Sequence, residues 1–169
     1  GSFNSGVGAG TLVLNTGNEN TATGAAALLS NTTGEFNTAT GGFALISNQG
    51  GSRNNAVGSR ALFAHTIGDY NNAVGAFALA FDTEGEGNNA FGDQALNNNS
   101  TGNHNTAMGD NALLFNTSGS DNTAIGRNAL WSNTGGSDLT PLGAFAGEAV
   151  TALRDIESQV CALLCDSKR

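Results

Sequence analysis

A five-residue motif returns at intervals of 17 residues without a slip. Asn20-Thr21-Ala22-Thr23-Gly24 is followed by Asn37-Thr38-Ala39-Thr40-Gly41, Asn54-Asn55-Ala56-Val57-Gly58 and Asn71-Asn72-Ala73-Val74-Gly75. The series continues through Asn88-Asn89-Ala90-Phe91-Gly92, Asn105-Thr106-Ala107-Met108-Gly109 and Asn122-Thr123-Ala124-Ile125-Gly126. A partial unit, Asn4 to Gly8, precedes them, and a degenerate one follows at Thr140-Pro141-Leu142-Gly143. Three positions after each motif glycine stands an Ala-Leu pair, from Ala27-Leu28 to Ala129-Leu130, and a second glycine closes each unit, from Gly34 to Gly136. So short a strict period demands a repeat architecture, because one unit cannot bury its apolar residues except against its neighbours.

The glycines belong to this pattern: seventeen of the 25 fall in the two glycine columns. A single proline and no glycine at every third position exclude collagen. A hydrophobic content of 38% speaks against a disordered linker. The net charge of −8 offers no basic stripe for phosphates, so no nucleic-acid partner is expected. No apolar run reaches the length of a membrane helix, so no membrane insertion by this segment is expected. The start, Gly1-Ser2-Phe3, has no secretory signal and reads as a cleavage scar. Cys161 and Cys165, close together near the end, cannot staple the body of the chain, and they leave the redox compartment open.

Each unit holds two short stretches, Asn-x-Ala-x-Gly and x-Ala-Leu-x-x, parted by a turn at each glycine, which predicts two strands per coil. A helix is excluded by the density of Gly, Asn and Thr. A hairpin meander would favour Asn-Gly or Asp-Gly turns, and the chain has neither. The fold expected is therefore all-β: a β-solenoid of 17-residue coils stacked about 4.8 Å apart, on the order of 40 Å long. In the motif, residues three and four point to opposite faces. The unbroken Ala column is expected on a face that a monomer would leave in water, and three copies meeting at an axis would cover it. A homotrimer is the expected assembly.

Residues 1–147 are assigned to the β-roll head and 148–169 to a helical neck or stalk. Ala149, Leu153, Ile156, Val160 and Leu163 alternate four and three apart, a heptad seam of two heptads. A lone amphipathic helix capping the last coil is the alternative.

Asn122-Thr123-Ala124-Ile125-Gly126, with Ala129-Leu130 and the Gly-rich turn after it, resembles the YadA-like head repeats of trimeric autotransporter adhesins, and similar arrays occur in phage tail fibres. The resemblance covers about residues 4 to 147. It implies a left-handed parallel β-roll, three rolls packed as a trimer, and a neck leading into a coiled-coil stalk.

Candidate chemistry is sparse. His65 and His104 could act as general bases in an intersubunit cleft, as in a trimeric β-helix acyltransferase, but those coils advance by multiples of six and 17 does not fit; both histidines are expected in solvated turns. Asp69, Asp82, Asp93, Asp110, Asp121 and Asp138, with Glu35, Glu84 and Glu86, shift position from unit to unit, so they read as solvated turn acids and not as a calcium site. Thr21/Thr23 and Thr38/Thr40 form Thr-x-Thr pairs like those of ice-binding solenoids, but the next units break the array. Gly6-Val7-Gly8-Ala9-Gly10 lacks the Lys-Ser/Thr of a phosphate loop and reads as the first coil. The glycosylation sequons at Asn31, Asn98, Asn99 and Asn116 are cheap in so Asn- and Thr-rich a chain. The first Asn of each motif is expected to form a stacked ladder bonded to turn backbone.

The residues two before each Leu (Ala26, Phe43, Arg60, Phe77, Gln94, Asn111, Asn128) and the aromatics Phe63, Phe81, Phe115 and Trp131 vary freely. They either display a binding surface or fill gaps in the core or at the trimer axis. The reading is a non-enzymatic, trimeric, adhesin-type head outside the cell, on a cell or virion surface, binding a host surface protein or glycan. A phage or virus fibre segment is the alternative, and the acyltransferase a remote one. No catalytic, cofactor-binding or metal-binding residue is assigned.

Overall fold

A computed structural model describes residues 1–148. Eight three-residue strands form one sheet: β1 (Ser5–Val7), β2 (Thr21–Thr23), β3 (Thr38–Thr40), β4 (Asn55–Val57), β5 (Asn72–Val74), β6 (Asn89–Phe91), β7 (Thr106–Met108) and β8 (Thr123–Ile125). They lie in chain order and every pair is parallel. Ala22 pairs with Ala39, Ala39 with Ala56 and so on, so each lap of the chain is one coil of a β-solenoid. The degenerate unit still stacks, through a parallel bridge from Ile125 to Leu142 and a hydrogen bond from the Leu130 N–H to Ala146 O at 3.0 Å. The described residues contain no helix. All of the neck expected over 148–169 except Glu148, with its heptad seam and both cysteines, lies outside the described residues.

The expectation of two strands per coil needs correction. The Ala-Leu stretch is not a strand, because two of its residues take left-handed backbone angles: in one coil Phe43 has φ 62° and Leu45 φ 49°, and in the next Arg60 has 57° and Leu62 52°. Coils still hydrogen-bond there, for example Leu45 N–H to Ala61 O at 3.0 Å and Leu62 N–H to Ala78 O at 3.0 Å. The left-handed turn costs about 1–2 kcal/mol per residue. Burial of the leucine offsets it: Leu28, Leu45, Leu62, Leu79, Leu96, Leu113 and Leu130 are at most 1% exposed.

A second correction concerns the Ala column. Ala22, Ala39, Ala56, Ala73, Ala90, Ala107 and Ala124 point inward and pack with the leucines and the Ala27-to-Ala129 column in one core. The fourth motif residue faces out, so the exposed column is Val57, Phe91, Met108 and Ile125, with Val74 half-buried. The Ala column therefore lends no support to a trimer.

Glycine is required where coils touch. At Gly58, φ is 135° and a Cβ would lie 2.4 Å from Gly75 O, while at Gly51 it would meet Gly68 O at 2.5 Å and Asn48 Oδ1 at 2.6 Å. No side chain fits between backbones so close.

Candidate functional site

Two ladders of buried amides line the inside of the long turn. In the first, built from the motif asparagines, each Oδ1 accepts the backbone N–H one coil on: Asn37 N–H to Asn20, Asn54 to Asn37 and Asn71 to Asn54, each at 2.9 Å. Each Nδ2 donates to a closing-glycine carbonyl, as Asn37 does to Gly51 O at 2.8 Å. This is the ladder the sequence predicts.

The second ladder stands three residues after each Leu: Asn15, Asn31, Asn48, His65, Asp82, Asn99, Asn116 and Asn133. Each amide donates backward along the stack, Asn48 to Asn31 Oδ1 at 2.6 Å, Asn116 to Asn99 at 2.9 Å and Asn133 to Asn116 at 2.8 Å. Each also donates to its own glycine carbonyl, Asn48 to Gly51 O at 2.9 Å. His65 and Asp82 break the series. His65 Nδ1 lies 2.9 Å from Asp82 Oδ2 and Nε2 lies 2.7 Å from Gly68 O. Asp82 Oδ1 accepts from Asn99 Nδ2 at 2.8 Å and from the Gly85 N–H at 3.2 Å. Both side chains are fully buried. The expected solvated positions of His65 and Asp82 are thus overturned, and a buried His65 with both ring nitrogens engaged is no base for a bound substrate. The column carried the signal, since Asn holds every place in it but these two.

His104 is exposed and lies 3.8 Å from the exposed Asp121. Glu84, Glu86, Asp93, Asp110, Asp121 and Asp138 are exposed, and Glu35 and Asp69 half-buried. No group of three or more His, Cys, Asp or Glu side chains among the described residues could hold a metal ion. Asn31, Asn99 and Asn116, three of the sequon asparagines, are buried ladder members and out of reach of any modifying enzyme in the folded rod. Thr21/Thr23 and Thr38/Thr40 lie in β2 and β3, and Gly6 and Val7 belong to β1.

The outer columns carry the remaining chemistry. Arg53 sits over the rings of Phe36 and Tyr70, at 5.2 and 5.4 Å, and Arg60 over those of Phe43 and Phe77, at 5.6 and 5.3 Å. Arg127 stacks on Phe145 at 4.7 Å, and Phe115 meets Trp131 edge to face at 4.9 Å. The three arginines of residues 1–148 thus all pack on rings. Phe43, Phe81 and Phe115 are exposed and Phe63, Phe77 and Trp131 half-buried, so none fills the coil's interior.

Comparison with protein families, curated proteins and solved structures gives no match to this chain.

Proposed function

We propose that the chain is a non-enzymatic display scaffold of the adhesin-head kind, working outside the cell on a cell or virion surface and binding a host protein or glycan through its varied outer columns. The observation that carries this reading is the division of labour within one coil. Inward positions repeat as Ala, Leu, Asn and Gly, while outward ones change freely and leave Phe43, Phe81 and Phe115 half in water. An aromatic rim on a fixed frame suits sugar stacking or protein packing.

Self-association, as a homotrimer, belongs to the same reading, and the outward side of the sheet is its natural seat. Its outward column runs Val57, Val74, Phe91, Met108, Ile125, exposed but for the half-buried Val74, and the column beside it is Thr or Asn in every coil from Thr21 to Thr123, with no charge in either. In a chain of net charge −8, copies meeting there bring no acids together. Sedimentation of the chain should give a trimer, and Phe91→Lys with Met108→Lys should give a monomer; a monomeric parent chain would remove this assembly. Retention of the chain by immobilised extracellular-matrix proteins or glycans tests adhesion, and failure of all such surfaces would leave the fibre-spacer reading in its place.

A further inference from the structure

We infer that His65 and Asp82 hold one shared proton inside the rod and make its middle coils the place where pH acts on the fold. Gly68 O can only accept, so the 2.7 Å contact puts a hydrogen on His65 Nε2. The 2.9 Å between Nδ1 and Asp82 Oδ2 then requires a second hydrogen between them. Imidazolium with carboxylate, or imidazole with carboxylic acid, satisfies it, and both are net neutral, as burial demands. Without that hydrogen, two lone pairs would face each other and a carboxylate would be buried with no counter-charge.

A second observation belongs to the same pair. Asn48 Oδ1 is buried, and no hydrogen bond reaches it, alone among the buried side-chain nitrogen and oxygen atoms of the described residues. Every rung elsewhere donates backward along the stack. An amide has two hydrogens, one for its glycine carbonyl and one for the rung behind, whereas each ring nitrogen of His65 carries at most one; with Nε2 on Gly68 O and Nδ1 turned forward to Asp82, Asn48 is left with none. The side chains facing the pair, Asn48 and Asn99, do not titrate. The nearest ionisable residues along the chain stand outside the turn: Asp69 is half-buried with Oδ1 accepting the Ser52 N–H at 2.7 Å, and Glu84 and Glu86 are exposed.

The sign of the effect follows from counting protons. In an unfolded chain, one imidazole and one carboxyl together bind a single proton from about pH 4 to about pH 6.5. Above that range the unfolded chain binds none, folding takes one up, and stability falls as pH rises. Below it the unfolded chain binds two, folding releases one, and stability falls as pH drops. Each arm approaches about a tenfold change in the unfolding constant per pH unit.

The test is denaturant unfolding of the 169-residue chain and two variants from pH 4 to 9. H65N/D82N completes the amide ladder and supplies Asn48 with a donor, so it should be the more stable protein, with its advantage growing about tenfold per unit above pH 6.5. In D82N the new amide can donate to Nδ1 of a neutral His65, so the alkaline arm should vanish and the remaining fall should begin below about pH 6.5. Parallel profiles for the parent and H65N/D82N above pH 6.5, or an alkaline arm that survives in D82N, would overturn the shared proton.

Discussion

The two amide ladders run side by side through the same coils, yet one is Asn in every coil from Asn4 to Asn122 and the other tolerates a histidine and an aspartate. The difference lies in what each Oδ1 must accept. In the first ladder it takes a backbone N–H, as Asn71 Oδ1 takes that of Asn88 at 2.9 Å, and the same side chain must donate to a glycine carbonyl. Only a short amide does both at that reach. In the second ladder the neighbour is another side chain, which can be exchanged together with its partner. A ring nitrogen replaces one Nδ2 at Gly68 O, and a carboxylate can follow because the ring supplies the hydrogen it lacks. A column bonded to backbone is locked, and a column bonded to side chains can drift in pairs.

The largest effect should therefore come from the locked column where the other ladder is weakest. Most closing-glycine carbonyls accept two amides, as Gly119 O does from Asn105 and Asn116. Gly85 O accepts only Asn71 Nδ2, at 2.7 Å, since Asp82 takes from that turn and gives nothing. Asn71→Ala would orphan this carbonyl and the Asn88 N–H together, at about 1–3 kcal/mol each, so a loss of about 4 kcal/mol is expected in urea unfolding. Asn116→Ala leaves Gly119 O its bond from Asn105 and orphans chiefly Asn99 Oδ1, so about 2 kcal/mol is expected. Equal losses at the two sites would dissolve the distinction between the ladders.

How much of this could be read from the sequence depended on whether a column announces its direction. The 17-residue period names the coil, and the motif Asn at every turn names the first ladder. Alternation says that Ala56 and Val57 face opposite ways but not which way is in. The better guide was size: a column stacked inside a coil of fixed cross-section cannot run from Thr through Val to Phe, as Thr40, Val57 and Phe91 do, whereas one that stays Ala can. The leucine turns were hidden for another reason. Left-handed backbone is the habit of glycine and asparagine, and at Leu45 or Leu62 only the burial of the side chain sustains it. His65 and Asp82 looked like turn residues because each was weighed singly. Set in their column, they replace Asn in consecutive coils and can be understood only as a pair.

The smallest effect belongs to the outer columns, where no buried polar group is at stake. Arg60 lies between two rings, and no carboxylate comes within 4 Å of any arginine among the described residues. Arg60→Gln keeps most of the stem and removes the charge, so about 1 kcal/mol should be lost from the two cation–ring contacts. A surface ion pair would fade as salt rises, because mobile ions screen both partners. Here each partner is an uncharged ring, its centroid 5.6 or 5.3 Å from the guanidinium carbon, so the gap between the parent chain and Arg60→Gln should persist from about 0.05 to about 1 M NaCl, where the screening length falls to about 3 Å. If the gap closes with salt, the acids on neighbouring coils hold Arg60, and the exterior is stitched by charge instead of by rings.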